Sequence, residues 1–332
     1  MVQIIVSKKI AVGLGKARLV AGFLFLTCVL NGCSLMLPQT QALKDQRPQG
    51  IPAQAELGDV PFYAQDAYQC GPAALAMAMN AAGLRVTPDE LQDQVYLPAR
   101  KGSLQVEMLA TTRRHGLIAY ELAPSLNDVL QEIAAGTPVI VLENYGFRIY
   151  PVWHYAVAIG YDLDEGKIIR HSGTHQRQSM PIAVFEYLWK DEGYWAMVAV
   201  PPERVPATAT EARYASAVIA MEKSGQIRTA QTAYRALLRR WPESLAGHMG
   251  LGNTAYALRD MDTAESAFSR ATEIHPEAAA AFNNLATVLA ERGKMAEAIA
   301  AAEHAVSLGG PLLGAAQATL QEIRQNADNI TR

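Results

Sequence analysis

The pattern of apolar and polar positions changes period along the chain. Between residues 56 and 200, short apolar runs alternate with polar stretches, among them Pro138–Glu143, Tyr155–Ile159, Ile168–Arg170 and Trp195–Val200. Runs of this length, bounded by Gly, Pro or charged residues, predict buried strands. The strand from Tyr155 is expected to end in a turn at Gly160. Residues Ala73–Ala82 form a longer run rich in Ala and Met, with Pro72 before it and Gly83 after it. Proline in a first turn and glycine just past a last one predict a helix there. Two polar, proline-punctuated stretches at 33–55 and 202–210 predict a tether and a linker. Beyond 211 every strong period is helical.

That last third repeats. Ala230, Ala264 and Ala298 lie 34 residues apart, Tyr234, Phe268 and Ala302 follow at the same interval, and Pro242 and Pro276 do too. The alanine lets two antiparallel helices approach, the aromatic fills the space beside it, and the proline stops the second helix. Gly252 fits the same close contact. The pattern resembles the tetratricopeptide repeat. It implies three helix pairs at about 211–244, 245–278 and 279–310, a capping helix from Pro311 to Asn326, and a role in binding protein partners.

Residues 1–32 carry Lys8, Lys9, Lys16 and Arg18 and no acid, followed by the apolar run Leu19–Leu30. A bilayer span needs about 20 apolar residues, so this shorter run reads as a secretory signal. Leu30-Asn31-Gly32-Cys33 resembles the lipobox of bacterial lipoproteins. The resemblance implies cleavage after residue 32 and a lipid on Cys33. Ser34, where an Asp would hold the chain at the inner membrane, implies the outer membrane, facing the periplasm.

Half of the 332 residues are hydrophobic and 18% are charged, which excludes wholesale disorder and allows about two domains. The formal charge of -3 argues against a nucleic-acid partner. Loss of the four basic residues of the signal would take it to -7, so membrane attachment would rest on the lipid rather than on headgroup charge. Three cysteines build neither a disulfide scaffold nor a four-thiolate zinc site. With Cys28 lost and Cys33 lipidated, Cys70 is the single thiol left.

Cys70 sits at the start of the predicted apolar helix, where unpaired N–H groups and the helix dipole favour a thiolate. Gly71 beside it is expected to leave room for a substrate. A nucleophile needs a base, and His154 opens the strand that begins at Tyr155. A thiol-bearing helix packed on an antiparallel sheet that carries the histidine gives a papain-like α+β core. Lys101–Gln105 reads as a structural loop-to-helix entry. No cofactor is implied, and His171 and His175 lack a third ligand for a metal.

Gln65 and Cys70-Gly71-Pro72, with Trp153-His154-Tyr155 and Gly160-Tyr161-Asp162, resemble the bacteriocin-processing, double-glycine-leader peptidases over about residues 56–200. The resemblance implies that Cys70 is the nucleophile, His154 the general base and acid, and Gln65 an oxyanion donor. That family places an Asp on the following strand to orient the imidazole. This chain has Arg170-His171-Ser172 there, leaving His171, Ser172 and Asp162 as candidates. The expected architecture is an α+β papain-like cysteine peptidase domain at 56–201 followed by an all-α tetratricopeptide-repeat solenoid at 211–332. The expected function is a lipid-anchored envelope cysteine peptidase whose repeats recruit a protein. The alternatives are a noncatalytic peptide-binding scaffold and a cell-wall peptide amidase or transpeptidase.

Overall fold

The computed structural model describes residues 37–64, 69–100, 102–147 and 149–330. The signal segment, Cys33 and Gln65 lie outside the described residues. In chain order, the first part contains α1 (Pro38–Asp45), β1 (Gln54–Glu56), α2 (Cys70–Ala81), α3 (Pro88–Val95), β2 (Tyr96–Leu97), β3 (Gly102–Ser103) and α4 (Gln105–Arg114). There follow β4 (Ile118–Glu121), α5 (Leu126–Ala134), β5 (Val139–Asn144), β6 (Trp153–Asp162), β7 (Lys167–Ser172), β8 (His175–Pro181), α6 (Ile182–Lys190) and β9 (Ala196–Val200).

Strands β4-β9-β5-β6-β7-β8 lie side by side in that order, all antiparallel, and β1 pairs with the far end of β6. Both faces of the central strands are covered, which is why β5, β9 and the middle of β6 read as apolar throughout, whereas the edge strand β8 is polar and mostly exposed. On one face Ala73–Met79 of α2 pack with Leu91, Val95 and Met108 against Ile140, Leu142, Val157 and Ile159. A helix buried on all sides needs the all-round apolar sequence that 73–79 has. On the other face Val129 and Ile133 of α5 and Phe185 and Trp189 of α6 pack on Val139, Val141, Ala156 and Ala158. The expected α+β core is therefore present.

The segment expected to be a free tether is docked over its described part. The backbone N–H groups of Gln39 and Thr40, in the first turn of α1, donate to the buried Glu186 carboxylate at 3.0 and 2.6 Å. An anion at a helix N-terminus is favourable, and the contact closes a chain separation of about 147 residues. Arg47 at the other end pairs with Asp164 at 2.7 Å. The expected linker at 202–210 is docked in the same way, because Thr208 donates its N–H and its hydroxyl to the buried Glu132 at 2.8 and 2.7 Å.

Strand β6 also runs past Gly160 rather than turning there. A Cβ on Gly160 would lie 2.9 Å from the Ala55 carbonyl oxygen, so the glycine marks the close crossing of β1 and not a turn.

The remainder is helical: α7 (Glu211–Lys223), α8 (Ile227–Arg240), α9 (Leu245–Ala257), α10 (Met261–Ile274), α11 (Ala279–Glu291), α12 (Met295–Leu308) and α13 (Leu313–Ile330). Ala230, Ala264 and Ala298 are fully buried. A Cβ on Gly252 would come 2.5 Å from the Phe268 ring, and one on Gly250 would come 2.1 Å from the Tyr234 ring, so two glycines rather than one admit the repeat aromatics. Ile323 of α13 covers Ala298 and Ala302. Tyr214, Val218, Met221 and Tyr234 of the first helix pair join the same core as α5 and α6, so the repeats are seated on the sheet domain.

Candidate active site

Cys70 is the first residue of α2, as the sequence predicts. Its sulfur, half-buried, lies against the backbone of Tyr155, Gly71 and Cys70 itself. Tyr155 immediately follows His154 on β6, which brings the thiol to the strand end that carries the imidazole. Burial pushes the Cys70 thiol above its ordinary value of 9.0, against the opposing pull of those three backbone groups. Desolvation of the charged sulfur thus works against the thiolate that the helix start is expected to favour. The rate of iodoacetamide alkylation at Cys70 should keep rising with pH beyond 9.0, because it follows the thiolate fraction. A profile that levels off near neutral pH would contradict this.

The space beside Gly71 is also assigned differently from expectation. A Cβ there would meet the Ser103 hydroxyl at 2.1 Å. The Tyr155 hydroxyl donates to the Ser103 carbonyl at 3.3 Å and holds that segment over the helix start. Gly71 makes room for β3 rather than for a substrate, and Ser103 packs over the helix start.

His154 is oriented by Ser172, whose hydroxyl lies 2.9 Å from Nε2. Behind Ser172 stands a buried chain of polar groups. The Tyr145 hydroxyl is 3.4 Å from Ser172 and donates to Glu143 Oε2 at 3.0 Å. Arg170 donates to the same Glu143 oxygen at 2.7 Å and to the Tyr145 hydroxyl at 2.8 Å. The only proton of the Tyr145 hydroxyl goes to Glu143, so Tyr145 can only accept from Ser172. The Ser172 oxygen then accepts from His154, which puts the imidazole proton on Nε2 and leaves the Nδ1 lone pair free. That nitrogen is the one able to take the thiol proton. Among the described residues the thiol and the imidazole make no direct hydrogen bond.

Burial, followed by the charge of Arg170, holds His154 down to about 4. Burial raises the Glu143 carboxyl, while Arg170 and the Tyr145 hydroxyl work against that shift. At neutral pH the pair therefore rests as a neutral thiol and a neutral imidazole.

The other candidates separate clearly. His171 faces away: its Nε2 is 3.2 Å from the Val60 carbonyl and its Nδ1 accepts from the Arg177 N–H. Asp162 sits at the opposite end of β6 and accepts from the N–H groups of Asp164 and Glu165. Of the three possible orienting residues, Ser172 alone reaches His154 among the described residues.

Glu143, Arg170 and Tyr145 went unassigned in the sequence. The available signal was a lone acid and a lone base at the ends of otherwise apolar strand runs, since buried charges of opposite sign must pair.

Residues 57–197 match the Peptidase C39 like family, and residues 217–276 and 251–311 match the tetratricopeptide repeat. Among solved structures, a putative C39-like peptidase from Bacillus anthracis is 18% identical, covering 44% of this chain and 97% of its own, with a TM-score of 0.38. The type III secretion translocator chaperone SycD of Yersinia enterocolitica is 20% identical, covering 35% of this chain and 85% of its own, with a TM-score of 0.34. None of the curated proteins matches the chain.

Proposed function

From the premise that residues 57–197 form a Peptidase C39 like domain and residues 217–311 form tetratricopeptide repeats, we propose a lipid-anchored cysteine peptidase of the cell envelope. Cys33 carries the lipid at the outer membrane, facing the periplasm. The observation that carries the reading is the approach of Cys70 to the strand end where the Ser172 hydroxyl lies 2.9 Å from His154 Nε2.

In this reading His154 Nδ1 takes the thiol proton as the sulfur attacks a peptide carbonyl. The tetrahedral oxyanion is met by the Cys70 backbone N–H and, by resemblance, by the Gln65 amide. His154 then gives its proton to the leaving amine, and water hydrolyses the thioester with the same nitrogen as base. The resting pair is neutral, so proton transfer accompanies attack rather than preceding it. The repeats present a cleft of about 140 Å³ lined by Asn253, Tyr256, Phe268, Asn284, Thr287 and Val288, and recruit a protein there.

Profiling of envelope-protein N-termini tests the activity. New N-termini present with the wild type should be absent with Cys70→Ala. Identical profiles would leave the second reading, a noncatalytic peptide-binding module, which the raised thiol and the missing thiol–imidazole hydrogen bond favour.

A further inference from the structure

We propose that Tyr145 is a positioning residue for the candidate base: its hydroxyl sets the direction of the Ser172 hydrogen bond, and so decides which nitrogen of His154 is left to take a proton. In this role it acts through Ser172 rather than on the reacting atoms.

Tyr145 is placed by the hairpin start between β5 and β6. Its N–H donates to the Val152 carbonyl at 2.9 Å, and the Asn144 side chain before it accepts from the Gly146 and Val152 N–H groups, both at 2.9 Å. The Tyr145 ring then lies beside the imidazole, with centroids 5.4 Å apart and planes inclined by 58°. The Arg170 guanidinium sits 5.9 Å from the same ring centroid. The ring is 46% exposed, so removing only its hydroxyl leaves the apolar core untouched.

That hydroxyl has one proton and three polar neighbours. Arg170 Nη2, at 2.8 Å, can only donate to it. Glu143 Oε2 at 3.0 Å and the Ser172 hydroxyl at 3.4 Å compete for the proton. The carboxylate wins on two counts. A charged acceptor makes the stronger hydrogen bond. Glu143 Oε1 is also buried without a hydrogen-bond partner among the described residues, so losing the Tyr145 proton would leave Arg170 as the only described group on that carboxylate. Ser172 is thus left to donate to Tyr145 and to accept from His154 Nε2 at 2.9 Å. A serine hydroxyl alone could point either way. The buried carboxylate, relayed through Tyr145, removes the choice.

This role deepens the peptidase reading and rests on it for turnover alone. In Tyr145→Phe the Ser172 proton loses its acceptor and can be given to His154 Nε2. The imidazole proton then moves to Nδ1, the nitrogen that has to receive the thiol proton. A base whose working nitrogen is already protonated cannot act as one.

Nitrogen NMR of the full chain, labelled with ¹⁵N at histidine, tests the assignment. At pH 7 the His154 imidazole, held down to about 4, is neutral, so its spectrum reports the tautomer. His154→Gln identifies the signals. The wild type should show a protonated Nε2 and a bare Nδ1. Tyr145→Phe should shift that balance toward protonated Nδ1 by about tenfold, the worth of one hydrogen bond. In a Ser172→Ala background the same substitution should leave the His154 signals unchanged, because the relay is already cut. Turnover of a peptide drawn from the N-terminal profiles should fall about 10²-fold in Tyr145→Phe with KM unchanged. A wild type protonated at Nδ1 would overturn the role without recourse to any variant. Tautomers that stay the same in Tyr145→Phe would overturn it too, and so would an equal shift with and without Ser172. The expected tautomers in a wild type that cleaves nothing would overturn the peptidase reading and leave the role of Tyr145 standing.

Discussion

His154→Ala should lower peptide cleavage by about 10⁴- to 10⁶-fold, the scale seen when one member of a nucleophile–base unit is removed. The size follows from the state of the thiol. Burial keeps Cys70 protonated at neutral pH, so a sulfur without a base is a poor nucleophile. No other described group takes the role, because His171 is bound to Val60 and Asp162 lies at the far end of β6. Ser172→Ala should cost less, about 10²-fold, since it loosens the imidazole without removing it. The pH profile carries its own sign. The base must be neutral, and the His154 imidazole is held down to about 4, so the acidic limb should fall near pH 4 instead of near 6.5. Purified protein and a fluorogenic peptide drawn from the N-terminal profiles check all three. A His154→Ala variant with undiminished turnover would place the base elsewhere.

Arg170→Met should destabilise the protein by about 3–5 kcal/mol, the cost of removing one member of a buried ion pair. Arg170 and Glu143 are 1% and 0% exposed at their side chains and meet at 2.7 Å. Methionine fills the volume but leaves Glu143 inside the protein with the Tyr145 hydroxyl as its remaining partner. Urea unfolding should show a lower midpoint with an unchanged slope. The double variant Arg170→Met, Glu143→Leu should recover most of the loss, because no unpaired charge is then buried. Loss of the guanidinium also removes a charge that depresses His154, so the acidic limb of activity should move upward from about pH 4. A single variant as stable as the wild type would mean that the pair contributes nothing net to the fold.

Much of the fold was legible because its signals are local. Pro72 and Gly83 bracket α2 on their own chemistry, and Gly83 takes the positive φ of 94° that a helix end requires. The 34-residue spacing of Ala230, Ala264 and Ala298 exposes the repeats without any tertiary knowledge, since each repeat meets only its neighbours. Gly160 shows where local reading fails. A glycine ending an apolar run reads as a turn, and the close passage of β1 that explains it comes from more than 100 residues earlier. The described polar stretches at 37–55 and 202–210 are docked for the same reason. Their proline and glutamine content is that of a linker, and the carboxylates that capture them, Glu186 and Glu132, lie on distant helices.

By itself the sequence determined that a thiol opens an apolar helix, that a histidine opens a strand, and that helical repeats follow. Tertiary structure decided how those two groups are tuned. Solvent exclusion around Cys70, the contact of the His154 imidazole with the Ser172 hydroxyl, and the Glu143–Arg170 pair behind it all arise where three strands meet. Charge and tautomer depend on neighbours in space, and those neighbours are fixed by folding rather than by spacing along the chain.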